Sequence, residues 1–356
     1  TDLIAVFITV PLQRDTITYN ALLPMVLRRG TNNIKTQQDI NKELENMYGA
    51  SFDCGVDKNG DNQVMKFYLE ILDNQYVLEN EDILKQGLKL LIDIVCNPYI
   101  ENNAFLKKYV DGEKQNLKQL IEEKIDNKAK YALERCTEEM YKNKPYGMYK
   151  YGYIEDLNDI DENKLYNYYK KMLQECKIDI FITGDIKSNI EDEIRNNENI
   201  MKLAEREEKY IKEGERDIEQ ENNIVNESMN ISQGKLVIGL DLQNMEKEKT
   251  YSAMVYNAIL GGGSNSKLFQ NVREKASLAY TAGSTYLKKK NNIFIRCGIE
   301  ISNYNKAVDI IKKQLKDLEK GEFTEEDIDN AKRIVMSNIR NIEEEQDLQI
   351  TYYYGQ

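Results

Sequence analysis

The chain contains no histidine. Histidine supplies most catalytic zinc sites and most general bases near neutral pH, so the commonest route to hydrolytic chemistry is closed. Other absences narrow the reading further. No apolar run approaches the ~20 residues that a membrane-spanning helix needs, so no membrane segment is expected. The five cysteines, Cys54, Cys96, Cys136, Cys176 and Cys297, are odd in number and form no C-x-x-C pair. They read as reduced thiols in a cytoplasmic protein, not as a disulfide frame or a zinc knuckle. A basic excess is also missing. The net charge of −12 disfavours a nucleic-acid partner, which needs a positive footprint. No leader-like segment is read at the start, which opens directly on the apolar run Leu3-Ile4-Ala5-Val6-Phe7-Ile8. The first residue is Thr1, not Met, which is compatible with a trimmed start.

What is present suits a folded globular chain: 356 residues, 41% hydrophobic and 31% charged. That length allows about two domains. The spacing predicts a strand over Leu3 to Val10 and a helix from Thr18 to Arg29 that stops at Gly30. A second helix, Thr36 to Met47, has Thr36 as its cap and Ile40, Leu44 and Met47 on one face. A strand is expected over Val64 to Leu72 and helices over Asn80 to Val95, Phe105 to Tyr141 and Asn158 to Glu175. The strand Ile178 to Gly184 follows. This order implies an α+β unit with mixed sheet pairing.

Residues 205–232 are charged and polar, and read as an exposed connector. A second strand-led unit then begins at Gly234. It is expected to contain helices Tyr251 to Leu260 and Ser266 to Lys275, strands near Tyr280 and over Ile293 to Ile299, and a helix over Asn305 to Lys320. Thr324 with Glu325, Glu326 and Asp327 marks one more helix start. The two halves repeat one pattern weakly. The expected division is therefore 1–204, a linker 205–232, and a second, incomplete domain 233–356.

Two segments carry a family likeness. The first is Ala21-Leu22-Leu23-Pro24-Met25-Val26-Leu27-Arg28-Arg29-Gly30-Thr31. The second is Leu260-Gly261-Gly262-Gly263-Ser264-Asn265-Ser266-Lys267-Leu268-Phe269-Gln270-Asn271-Val272-Arg273-Glu274-Lys275, with Leu278-Ala279-Tyr280 beyond it. The glycine run is neither G-x-G-x-x-G nor a P-loop and follows a helix, which disfavours nucleotide binding. By residue type alone it is also an ordinary helix-to-helix turn.

Together these segments resemble the pitrilysin/insulinase-type zinc peptidases: the first their H-x-x-E-H helix, the second the glycine-rich loop and helix of their C-terminal half. The resemblance covers nearly the whole chain. It is closest to a histidine-free bacterial subgroup associated with elongation factor P 5-aminopentanol modification, and is similar to the noncatalytic subunit of mitochondrial processing peptidase. It implies two homologous α/β-sandwich domains in a clam-shell arrangement, each a mixed, mainly antiparallel sheet with helices on one face.

Residue by residue, the resemblance places Ala21 and Met25 at the two metal-ligand positions and Pro24 at the general base. Alanine cannot ligate zinc, a thioether is a poor ligand for it, and proline has no side-chain proton acceptor. The family's third ligand is a Glu on a later helix, for which Glu122 or Glu123 is the relic. With Lys118 and Lys124 beside them, both also read as exposed helical carboxylates. In the family an Arg and a Tyr seven positions apart contact the substrate carbonyl, and the matching residues are Arg273 and Tyr280. Their donors suit an oxyanion. They are also residues that a solvated helix and an ordinary strand carry. The family adds substrate as an extra strand at a sheet edge, here the stretch Gly49 to Val56. Cys54 lacks a histidine to activate it and reads as a buried thiol.

The expected function is a non-catalytic peptidase homologue in a cytoplasmic heterodimer. It binds an extended peptide or protein and pairs with an H-x-x-E-H-bearing homologue. It contributes Arg273, Tyr280 and Gly261, Gly262 and Gly263. It needs no cofactor, with zinc only in the partner subunit. The alternatives are a purely structural or binding protein, as in the core subunits of respiratory complexes, and a self-sufficient hydrolase using carboxylates or cysteine.

Overall fold

The computed structural model describes residues 1–78, 81–186, 189–203, 208–212, 223–242 and 245–355. The chain divides into two compact units. The first comprises Thr1–Glu123, Met148–Glu213 and Glu345–Gln356, and the second Lys124–Gly147 and Gly214–Glu344.

The first unit is built on β1 (Asp2–Pro11), which pairs with β3 (Asn62–Ile71) on one side and β6 (Lys177–Thr183) on the other. The strand β2 (Ser51–Asn59) pairs with β3, giving the order β2-β3-β1-β6. All of these pairings are antiparallel. The β1 sequence is apolar without alternation because both of its faces are covered. Ile4, Val6 and Ile8 join the main core. That core is filled by helices α1 (Ile17–Leu27), α2 (Gln37–Asn46), α3 (Ile83–Cys96), α4 (Lys107–Glu122) and α6 (Glu162–Glu175). Leu3, Ala5 and Phe7 point the other way and pack with Val64 and with Ile350 of α12 (Gln346–Tyr354). Tyr354 closes that face edge-on against Phe7 at 5.0 Å, with its hydroxyl 2.8 Å from Thr9 Oγ1. The expected helical layer thus covers one face, and α12, unforeseen from the sequence, covers part of the other.

Caps explain several element boundaries. Thr36 accepts from Asp39 N at 3.1 Å and starts α2. Tyr48 and Gly49, at φ +59° and +78°, turn the chain from that helix into β2, a conformation glycine adopts without strain. A short hairpin, β4 (Ile100–Glu101) and β5 (Ala104–Phe105), precedes α4. Two short helices, α7 (Ile190–Arg195) and α8 (Glu198–Met201), follow β6.

The second unit has β7 (Gly234–Asp241), β8 (Ala279–Leu287) and β9 (Asn292–Ile299) in the order β7-β9-β8, again antiparallel. In both units the first strand pairs with the third, and the third with the second. The sheet carries α9 (Thr250–Gly261), α10 (Tyr304–Glu319) and α11 (Glu325–Glu344). Thr324 caps α11 by accepting from Asp327 N at 3.2 Å.

The single helical region expected over 105–141 is two helices. A 3₁₀ turn at Glu123–Ile125 ends the first, and Asn127 caps α5 (Lys128–Met140) by accepting from Lys130 N at 3.0 Å. The break lets α5 pack on β7 in the second unit. A Cβ on Gly239 would lie 1.9 Å from Met140 Sδ, so the two elements meet closely there. Arg135 on α5 also holds Glu227, within the expected connector, at 2.7 Å. Hence α5 and α12 each pack outside the half to which their sequence position assigns them. Among the described residues, no helix is long and apolar enough to cross a membrane.

Candidate functional site

Helix α1 carries the degenerate metal motif. Ala21 is 3% exposed, Pro24 is buried and Met25 is half-buried. Ala21 and Met25 lie one turn apart on one helix face, and Arg28 and Arg29 follow in the turn that ends the helix. Pro24 cannot donate a backbone hydrogen bond inside the helix. Its carbonyl accepts from Arg28 N at 3.2 Å and from Cys54 Sγ on β2 at 3.4 Å. The Gly-Thr after the motif has a local structural reason. A Cβ on Gly30 would lie 2.4 Å from Lys35 O, and Thr31 Oγ1 accepts from Ile34 N at 2.9 Å.

Asp156 Oδ2 accepts from Thr18 Oγ1 on α1 at 2.5 Å, and the buried carboxylate beside the turn that ends α1 is that of Glu113. It is 3% exposed and pairs with Arg29 Nε, while its other oxygen accepts from Asn116 Nδ2 at 2.9 Å. Arg29 Nη1 also donates to Gln37 Oε1 at 2.9 Å. The two carboxylates singled out from the sequence lie elsewhere. Glu122 is exposed on the last turn of α4, 3.9 Å from Lys118, and Glu123 is exposed in the next turn, accepting from Gln119 at 2.7 Å. A signal for Glu113 was present. It falls on the buried stripe of α4 with Val110 and Leu117, a position that an unpaired charge avoids.

These residues do not fit a zinc ion. The ligand positions hold a methyl and a thioether, the base position a pyrrolidine ring, and the buried carboxylate is already paired with an internal cation. Among the described residues, no three His, Cys, Asp or Glu side chains converge as a metal site.

Cys54 is no better suited as a nucleophile. Burial pushes its thiol up to about 12, against an opposing pull from the Arg28 guanidinium. At pH 8 the native chain therefore resists alkylation by iodoacetamide at Cys54, whereas the urea-unfolded chain reacts at all five cysteines. Peptide mapping by mass spectrometry checks this. A raised thiol pKa means that the folded chain holds the proton more tightly than the unfolded one. The stability linked to Cys54, and to Cys136 and Cys297 (each pushed up to about 11), is full below the ordinary thiol value of 9.0 and falls as pH rises above it. The urea midpoint is expected to drop between pH 9 and pH 11.

The second unit presents a different arrangement. Within the helix expected over Ser266 to Lys275, the segment Phe269–Lys275 is π-helical. Leu268 and Val272 anchor it in the core, while Arg273 stays 42% exposed with its guanidinium 4.5 Å from the centre of the Phe269 ring. Ser277, at φ +52°, ends the segment, and Leu278 N donates to Val272 O at 3.1 Å. The chain thereby folds back into β8 beside Arg273. Tyr280 is the extra residue of a β-bulge: Ala279 pairs with Ile299 and Thr281 with Gly298. A bulge re-aims a side chain, and Tyr280 is 58% exposed. Arg273 and Tyr280 line one cavity of about 350 Å³, with Glu274, Leu278, Ala279 and Glu300 on its walls.

The three glycines do not line that cavity. Gly261 is buried, and a Cβ there would lie 2.4 Å from Ser284 N, so α9 can approach β8 only without a side chain. Gly262 is exposed and Gly263 half-buried. A Cβ on Gly263 would meet only the end of the Ile334 side chain, at 3.0 Å. Gly261→Ala is expected to destabilise the chain by about 1–3 kcal/mol through overpacking, and Gly263→Ala by much less. Urea midpoints at constant m separate the two.

The family model described as "Peptidase M16 inactive domain" matches residues 159–335. The chain is 36% identical over 331 residues to the "Probable inactive metalloprotease YmfF" of Bacillus subtilis (strain 168), covering 92% of this chain and 77% of that protein. Among solved structures it is similar to a conserved protein from Enterococcus faecalis V583, with a TM-score of 0.84, 26% identity, and coverage of 99% of this chain and 83% of that one. A peptidase M16 inactive domain from Pseudomonas fluorescens shares the fold, with a TM-score of 0.74 at 19% identity over 95% of this chain and 79% of that one.

Proposed function

The chain belongs to the M16 peptidase family as an inactive-type homologue, and from that premise we propose that it is the substrate-engaging subunit of a two-chain peptidase. The observation that carries this reading is the convergence of Arg273 and Tyr280 on one cavity, while the motif face of α1 offers no metal ligands. A guanidinium fork and a phenol in one cavity can each donate to the backbone carbonyls of an extended peptide. Both donors are accessible. The metal-bound chemistry belongs to a homologous partner bearing H-x-x-E-H. Within the first unit, the edge strand β2 can take up an extended peptide by strand addition, since its outer edge has no neighbour among the described strands. The reading places the heterodimer in the cytoplasm.

The test is reconstitution. The purified chain alone is expected to hold no stoichiometric zinc and to cleave no peptide. Mixed with an H-x-x-E-H homologue, it raises cleavage above that of the homologue alone. Zinc-dependent cleavage by the isolated chain overturns the proposal. A pair no more active than the homologue alone favours a purely structural role.

A further inference from the structure

A π-helical turn is rare, and where one occurs its surroundings must favour it over the α-helical alternative. The segment Phe269–Lys275 has two apolar anchors in the core, Leu268 just before it and Val272 within it. Such contacts are non-directional and do not by themselves choose between an i→i+4 and an i→i+5 turn. The choice matters for Arg273, because widening a turn rotates every later side chain about the helix axis.

One polar pair makes that choice. Gln314 on α10 is 7% exposed and stands on the buried stripe of that helix with Ala307, Ile311 and Leu318. A glutamine in such a stripe needs a hydrogen-bond partner. Among the described residues its side chain has Asn271, whose Nδ2 donates to Gln314 Oε1 at 2.7 Å. The same Nδ2 also donates to Lys267 O at 2.9 Å. That carbonyl lies four residues back and is the acceptor that an α-helix gives to the Asn271 backbone N–H. A side-chain donor inserted there competes with the α-helical bond and opens the turn. Asn271 Oδ1 in turn accepts from Lys275 Nζ at 3.2 Å, near the far end of the segment. Asn271 therefore ties the segment internally and is fixed from outside by α10. Neither Asn271 nor Gln314 lines the cavity.

We infer that Asn271 and Gln314 are positioning residues for Arg273. Their hydrogen bond holds Phe269–Lys275 in the π-helical register. That register sets the bearing of the Arg273 guanidinium on the Phe269 ring, 4.5 Å away, and toward the cavity it shares with Tyr280. A hydrogen bond fixes distance and angle, which the apolar anchors do not. The effect of the pair on cleavage rests on the substrate-engaging role proposed above, so the experiment has one readout that is independent of that role.

The first readout is the Arg273 Nε–H resonance in NMR spectra of the full chain, assigned by its disappearance in Arg273→Lys. The nearby Phe269 ring makes this resonance sensitive to the bearing of the guanidinium, and Arg273 does not touch Gln314. Gln314→Met keeps the length and removes the acceptor, whereas Gln314→Glu keeps both. The resonance is expected to move in Gln314→Met and in Asn271→Leu, and to stay in place in Gln314→Glu. The second readout is cleavage by the reconstituted pair. Gln314→Met is expected to lower kcat/KM about tenfold, through kcat more than KM, and Gln314→Glu to retain most of the native value. The double variant Asn271→Leu, Gln314→Met replaces both polar groups by apolar ones of similar shape, which favours retention of the fold. It is expected to be no worse than Gln314→Met alone, since the two residues act as one unit. A native Arg273 resonance in the double variant overturns the positioning role. A displaced resonance with unchanged cleavage upholds that role and overturns the substrate-engaging one. Circular dichroism of each variant confirms that the fold is kept.

Discussion

Arg273→Ala in the reconstituted pair is expected to lower kcat/KM for peptide cleavage on the order of 10²-fold, the usual consequence of removing one preorganised donor from a developing oxyanion. The loss should come without unfolding. The side chain is 42% exposed, its ion pair with Glu274 is long at 3.7 Å, and exposed pairs contribute little. Its stacking on Phe269 contributes about 0.5–1 kcal/mol. Arg273→Lys should recover only part of the activity, because an ammonium lacks the planar fork. Tyr280→Phe, which keeps the ring and removes the hydroxyl, should cost less than Arg273→Ala. Steady-state kinetics with the partner in excess separates these variants from a change in association. An unchanged rate in Arg273→Ala would refute the shared site and leave the chain a structural subunit.

Glu113→Ala is expected to give the largest loss of stability, about 1–3 kcal/mol, the cost of removing one partner of a part-buried, charge-assisted hydrogen bond. That is a large part of the ~5–15 kcal/mol typical of a folded domain. The reason is local. Glu113 is almost fully buried, and removing it leaves Arg29 with only Gln37 Oε1 as a side-chain partner among the contacts described above. Glu113→Gln keeps the shape and one acceptor, and should cost less. Glu122→Ala and Glu123→Ala, on the exposed end of α4, should each stay within about 0.5 kcal/mol of the parent. Urea unfolding, with midpoints compared at constant m, measures all four. If Glu113→Ala were as mild as Glu122→Ala, the Arg29–Glu113 pair would not be the joint between α4 and the turn that ends α1.

Much of the architecture is readable from local chemistry. The apolar run of β1, the Thr36 and Thr324 caps and the Gly30 stop are local signals, and the elements lie where they indicate. Other features depended on partners distant in sequence. The break between α4 and α5 falls in a charged stretch whose helical pattern does not change; Asn127 is its one local signal, and the packing of α5 on β7 involves a segment distant in sequence. Helix α12 has no one-sided apolar stripe to announce it. It is recognised through what it covers, the Leu3, Ala5 and Phe7 face of β1.

The same distinction runs through the candidate site. The loss of metal chemistry at Ala21, Pro24 and Met25 is a property of those side chains, and no fold could supply ligands that they lack. The sequence by itself therefore determined what α1 cannot do. It also contained Arg273 and Tyr280, but not their meeting. That required a π-helical segment closed by a left-handed Ser277 and a bulge at Tyr280 set by the β8–β9 register. Glu300 reaches the same cavity only through that register, and Glu113 reaches Arg29 only through helix packing. Such contacts are the tertiary structure's to decide, because each depends on where a second, sequence-distant segment comes to rest.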